Sequence, residues 1–108
     1  MDTSVLPDIF VVLCTTPPGI SEVIARELLE RRLVACVNIT SVRSLYRWEG
    51  NVCDDAESLL IMKTQASTVP DLIAAIRSVH PYDVPEIIAV PVTAGFQGYL
   101  DWVVEETG

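Results

Sequence analysis

The chain reads as an α+β protein of the ferredoxin-like class, a split βαβ fold in the order β-α-β-β-α-β plus a closing helix. Three observations carry that reading. A continuous β-branched and aromatic run, Ile9-Phe10-Val11-Val12-Leu13, is closed by Thr15-Thr16-Pro17-Pro18-Gly19. Two later segments place apolar residues at helical spacing. Between those segments lies a long β-rich stretch, broken only by the turn residues Glu49-Gly50-Asn51.

Taken in order, Ile9 to Leu13 is a central strand. Ser21 offers an N-cap oxygen, Glu22 puts an anion in the first turn, and Ile20, Val23, Ile24 and Leu28 recur on one face of a first helix running to about Arg32. Val34 to Trp48 is extended with a bend expected near Thr40-Ser41, and Glu57 to Thr64 returns as the partner strand. Ser67-Thr68 caps a second helix with Val69, Leu72, Ile73 and Ile76 inward and Pro70 in its tolerated first turn; Pro81 stops it near His80. Glu86 to Val92 is the fourth strand, and Tyr99, Leu100, Val103 and Val104 mark the closing helix. Helices are expected on one face of an antiparallel sheet, so the other face needs separate cover.

The 108 residues, half of them hydrophobic, fit a single domain spanning 1–108. Seven Lys and Arg against 15 Asp and Glu give a net charge of −8, which argues against nucleic acid and anionic membrane surfaces as partners. The three cysteines, Cys14, Cys36 and Cys53, form no C-x-x-C pair and are expected as free thiols in a reducing compartment. Met1-Asp2-Thr3-Ser4 lacks the basic start of an export signal, and Ile9 to Leu13 is far short of the ~20 residues that span a bilayer, so a cytoplasmic location is expected.

Extended, Ala35 to Trp48 reaches about 45 Å at ~3.3 Å per residue. A 100-residue domain has a radius of gyration of only ~13 Å. The hairpin should therefore overhang its own domain, and Tyr46 and Trp48 alternate onto one face of its far end. Burying ~200 Å² of one such ring is worth at most about 5 kcal/mol, so a neighbouring subunit is the economical cover.

The proline-bounded stretch His80-Pro81-Tyr82-Asp83-Val84-Pro85-Glu86 has little conformational freedom to lose and can hold a polar group in place. His80, the only histidine, is open to three readings: metal ligand, general base, or helix-end residue donating to a carbonyl. Cys14 suits the core as well as a ligand role, and Glu86 suits a salt bridge to Lys63 as well as a site. Should Cys14, His80 and Glu86 converge, their thiolate, imidazole and carboxylate form a mixed-softness set acceptable to copper or zinc and poorly suited to calcium. G-x-S-x-G, G-x-x-x-x-G-K, G-x-G-x-x-G and H-E-x-x-H are absent and no nucleophile is visibly activated, so no enzyme is expected.

Val11-Val12-Leu13-Cys14-Thr15-Thr16, Leu33-Val34-Ala35-Cys36-Val37-Asn38, Ser44-Leu45-Tyr46-Arg47-Trp48-Glu49-Gly50, Met62-Lys63-Thr64, His80 to Glu86 and Tyr99-Leu100-Asp101-Trp102 together resemble the CutA family, the divalent-cation tolerance proteins. The resemblance covers about Ile9 to Val104. It implies an intertwined homotrimer of ferredoxin-like subunits, similar to the PII signalling proteins, with a role in tolerance of divalent metals, copper especially. It also implies metal contacts at Cys14, His80 and Glu86, and places Tyr46, Trp48, Lys63, Tyr82 and Trp102 at subunit contacts or clefts. Val79 stands where some members carry a second histidine. An alternative stays open: a PII-like sensor of a small metabolite, or a trimeric scaffold for another protein, using the clefts between subunits.

Overall fold

The structure, a computed structural model, describes residues 6–108; the Met1–Ser4 stretch behind the expectation of no export signal lies outside the described residues. The elements are β1 (Ile9–Thr16), α1 (Ser21–Glu30), β2 (Cys36–Trp48), β3 (Asn51–Gln65), α2 (Val69–Val79), β4 (Ile87–Pro91) and α3 (Gln97–Glu106). The strands form one antiparallel sheet in the order β2-β3-β1-β4, the ferredoxin-like arrangement the sequence predicts.

Alternation along the strands sorts the side chains. Val12 and Cys14 of β1 and Leu60 and Met62 of β3 face α1 and α2, where Ile24, Ala25, Leu28, Leu72, Ala75 and Ile76 close the main core. Ile9 points to the opposite face and packs with Leu100 and Val103 of α3. Gln65, paired with Ile9, donates to the Thr107 carbonyl at 2.9 Å and fastens that helix. Helices thus cover both faces: the expectation of a single helical face holds for α1 and α2, while the odd-numbered positions of β1 give α3 an apolar seat on the other side. The rest of that side keeps Ile88 and Val90 exposed at 50% and 46%, beside half-buried Val11, Leu13, Leu59 and Ile61.

Element ends differ from expectation for local reasons. Neither Ser21 nor Thr68 caps a helix with its side chain, because a short 3-10 turn, Pro18–Ile20 or Ala66–Thr68, runs straight into each. The first helix stops at Glu30, with Arg32 left-handed at φ 57° and the Leu33 N–H returning to the Leu28 carbonyl at 3.0 Å. No bend interrupts β2 at Thr40-Ser41, since every residue from Cys36 to Trp48 has a partner on β3. Glu49 and Gly50, at φ 48° and 79°, close Trp48 onto Asn51 in the two-residue turn whose twist matches a hairpin.

β1 ends at Thr16, opposite Ser58, whereas β2 and β3 stay paired from Val42 and Glu57 out to Trp48 and Asn51. That two-stranded remainder is the expected arm. It stretches the molecule to 56 × 27 × 22 Å, with a radius of gyration of 15.2 Å against ~13 Å for a compact chain of this length.

Met62 is fully buried at the centre of the main core. Met62→Ala should lower the unfolding free energy by about 2–5 kcal/mol, while Val23→Ala, 68% exposed on α1, should stay within about 0.5 kcal/mol. Denaturant titration of both variants measures the contrast, and equal effects would contradict this core assignment.

Candidate functional site

Thr15 is the crossroads of the residues singled out in the sequence. Cys14 precedes it on β1, fully buried on the helix side, and its thiol lies 3.6 Å from the Thr15 carbonyl. His80 ends α2, where its backbone N–H still reaches the Ile76 carbonyl at 2.9 Å. Its ring is 8% exposed and spans a gap in the chain: Nε2 lies 2.8 Å from the Thr15 carbonyl, and Nδ1 accepts from the Tyr82 backbone N–H at 3.2 Å. A carbonyl on one side and an N–H on the other assign the proton to Nε2. The open question over His80 resolves, within the chain, to a helix-end residue donating to a carbonyl, with the Tyr82 ring tilted against it at 4.7 Å between centres.

Glu86 sits just before Ile87, whose partner is Cys14, so its exposed carboxylate flanks Thr15 from the β4 side. Glu57 approaches from β3. Burial pushes the Cys14 thiol up to about 12, with the charges of Glu86 and Glu57 adding to the effect. Cys14, His80 and Glu86 are therefore brought around one residue, but their atoms are committed differently: a protonated thiol, a ring with both nitrogens engaged, and an open carboxylate. Among the described residues no group of three or more His, Cys, Asp or Glu is arranged to hold a metal ion.

In front of Thr15 opens a concavity of about 610 Å³ between the arm and the loop after α2. Register puts Ser44, Tyr46 and Trp48 of β2 on the same sheet face as Glu57 of β3, and these form one wall. Tyr82, Asp83, Val84 and Glu86 form the other. The Tyr82 hydroxyl bridges them, donating to Glu57 Oε2 at 2.8 Å; burial first, then this bond, pushes the phenol up to about 12. Tyr46 donates to Asp55 at 2.5 Å, which holds its phenol protonated well above the usual range. Arg43 grips Asp54 with two bonds of 2.9 and 2.6 Å and holds that carboxyl below its ordinary value.

The expected interface set divides. Tyr46, Trp48 and Tyr82 line the concavity, each more than a third exposed. Trp102 lies on α3 beside Tyr99, ring centres 5.6 Å apart. Lys63 is on the sheet face opposite α1 and α2, donating to Asn38 and 3.9 Å from the Cys36 sulfur; the suggested pairing with Glu86 does not form, because Lys63 stands four residues along β3 from the Leu59–Thr15 pair that Glu86 flanks. Glu57 is the residue that sequence reading missed. Its signal was a charged residue two positions before the apolar run Leu59-Leu60-Ile61-Met62, close to the anomaly that drew attention to Glu86.

Residues 10–106 match the family model described as CutA1 divalent ion tolerance protein. The chain is 47% identical over 100 residues to the divalent-cation tolerance protein CutA of Thermus thermophilus, covering 91% of this chain and 97% of that protein. It is 48% identical over 89 residues to protein CutA of Homo sapiens, covering 82% of this chain and spanning 50% of that protein's length. A solved structure titled PII-like protein CutA from Nostoc sp. PCC 7120 superposes with a TM-score of 0.89 at 40% identity, over 92% of this chain and 97% of that one.

Two of the raised groups, Cys14 and Tyr82, give alkaline stability a sign. Cys14 and Tyr82 start from 9.0 and 10.0 and reach about 12 in the folded chain, so their contribution is whole below pH 9 and is lost as pH climbs towards 12. The denaturation midpoint should fall across that window, and Cys14 should resist iodoacetamide at pH 8 until the chain is unfolded. A thiol that alkylates readily in the native protein would contradict the burial.

Proposed function

Because the chain belongs to the CutA1 divalent ion tolerance family, we propose that it is a non-enzymatic homotrimer that binds copper or another divalent metal ion and takes part in the cell's response to such ions. The placement of Cys14, His80 and Glu86 around Thr15, Cys14 on the helix side of the sheet and Glu86 on the open side, is the observation that supports the metal reading. Glu86 is the open donor. Cys14 and His80 join by exchange, the thiol releasing its proton and the imidazole leaving the Thr15 carbonyl. One chain alone has no ready three-donor cluster among its described residues, so donors drawn together on assembly complete the set.

Assembly itself is argued from surface. Ile88 and Val90 on the open sheet face, and Val52 on the arm, are 46–70% exposed. Exposed apolar residues on the open sheet face and on the opposite face of a bare two-stranded ribbon belong against copies of the same chain. A cytoplasmic setting accords with three free thiols, and among the described residues no helix is long and apolar enough to cross a membrane. A second reading, a PII-like sensor of a small metabolite, is favoured by one feature: the concavity of about 610 Å³ has the size of a ligand pocket.

Sedimentation at micromolar concentration should give three times the 11.9 kDa chain mass, and a compact folded monomer would refute the assembly. Titration with copper or zinc should show apparent affinity rising about tenfold per pH unit between pH 6 and 9, the mark of one displaced thiol proton. Cys14→Ser should flatten that slope and Glu86→Gln or His80→Ala should weaken binding; unchanged affinity in all three variants would remove the site assignment.

A further inference from the structure

We infer that the concavity between the arm and the loop after α2 binds a small organic cation, an ammonium group carried on an apolar or aromatic body, with Glu57 as its counter-ion and Tyr46, Trp48 and Tyr82 as its walls. This deepens the sensor reading and does not depend on the metal one.

Glu57 is the decisive residue. It is only 7% exposed, yet the ion pairs among the described residues are Arg26–Glu22, Arg31–Glu27 and Arg43–Asp54, none of which neutralises it. Its Oε2 accepts from Tyr82, while its Oε1 has no hydrogen-bond partner among the described residues and is not sealed from solvent. A carboxylate that lines the concavity with no cation paired to it is a ready acceptor for a positive group delivered there.

The remaining lining sets the charge and shape of that group. Arg43 is the cation among the lining residues, and both its bonds are spent on Asp54. Asp83 and Glu86 add carboxylates, so the field inside is negative and an anion is repelled. Trp48, Tyr46 and Tyr82 offer ring faces that attract a cation and cover an apolar body, with Leu45 and Val84 extending the apolar surface. A bare metal ion would use none of these rings. The volume of about 610 Å³ lies inside the range typical of small-ligand pockets, roughly 300–1,000 Å³.

The test is calorimetric titration of the assembled wild-type protein, in buffer with a metal chelator, using three isosteric probes: phenethylammonium, neutral 2-phenylethanol and anionic phenylacetate. The ammonium should bind at least tenfold more tightly than the alcohol, with phenylacetate weakest. Glu57→Gln should remove that tenfold preference and leave the alcohol unchanged, while Trp48→Ala should weaken ammonium and alcohol together. Each variant is checked for native assembly by sedimentation. Equal affinity for the three probes, no ammonium binding at millimolar concentration, or a preference that survives Glu57→Gln would overturn the inference. Cys14→Ser separates the two readings: ammonium binding that persists in it supports a site independent of the metal donors, and binding lost with it refutes that independence.

Discussion

The mismatch between an eight-residue β1 and a fifteen-residue β3 governs this molecule. The start of β1 is flush with the end of β3, Ile9 against Gln65, so the whole excess falls at one end and leaves a ribbon of β2 and β3 with nothing beside it. A two-stranded ribbon is marginal in water. Its cross-strand links, Arg43 to Asp54 and Tyr46 to Asp55, are exposed and contribute little. Its apolar residues instead offer area, and area stabilises only when covered. The same mismatch creates the concavity: where β1 stops, the sheet loses its floor, and the loop after α2 passes across the gap.

His80 couples that loop to the core. The ring fills the space between the end of β1 and the start of the loop, donating to one backbone and accepting from the other. Pro81 and Pro85 restrict the chain on either side, so one imidazole suffices to fix the segment that carries Tyr82, Asp83 and Glu86. An unpaired Thr15 carbonyl and Tyr82 N–H at this depth would each carry a desolvation cost of about 1–3 kcal/mol. A structural pin and a metal donor are thus competing uses of the same two nitrogens, and the energy of the pin sets the threshold a metal must exceed.

Period and turn chemistry made most of the fold legible. Alternation in β1, helical spacing in α1 and α2, and Glu49-Gly50 between two extended runs each correspond to a local geometry with few alternatives. The overhang followed from counting residues. What stayed hidden depends on atoms that leave no mark on residue identity. His80 is satisfied by a backbone carbonyl 65 positions away. Arg32 takes a left-handed conformation usually given to glycine, and its guanidinium then reaches the Glu105 carbonyl at 2.6 Å. The side taken by α3 carried no mark in β1, because Val11, Val12 and Leu13 in succession make both of its faces apolar. Glu57 looked like the start of a strand because the ladder outside it was not counted as part of the same element.

The two proposed cation sites share a consequence of where they sit. Glu57, Glu86 and the exposed Ile88 and Val90 belong to the same sheet face, so any copy that covers the apolar part also lowers the dielectric around the carboxylates. Burying an uncompensated carboxylate more deeply opposes assembly. A cation seated against it removes that opposition, and linkage then requires the reverse: assembled chains hold the cation more tightly than separate ones by the same factor. A family matched by its description to divalent ion tolerance and a fold shared with a PII-like protein are compatible under the two proposals, because both bring positive charge to an acidic concavity walled by the arm and the loop after α2.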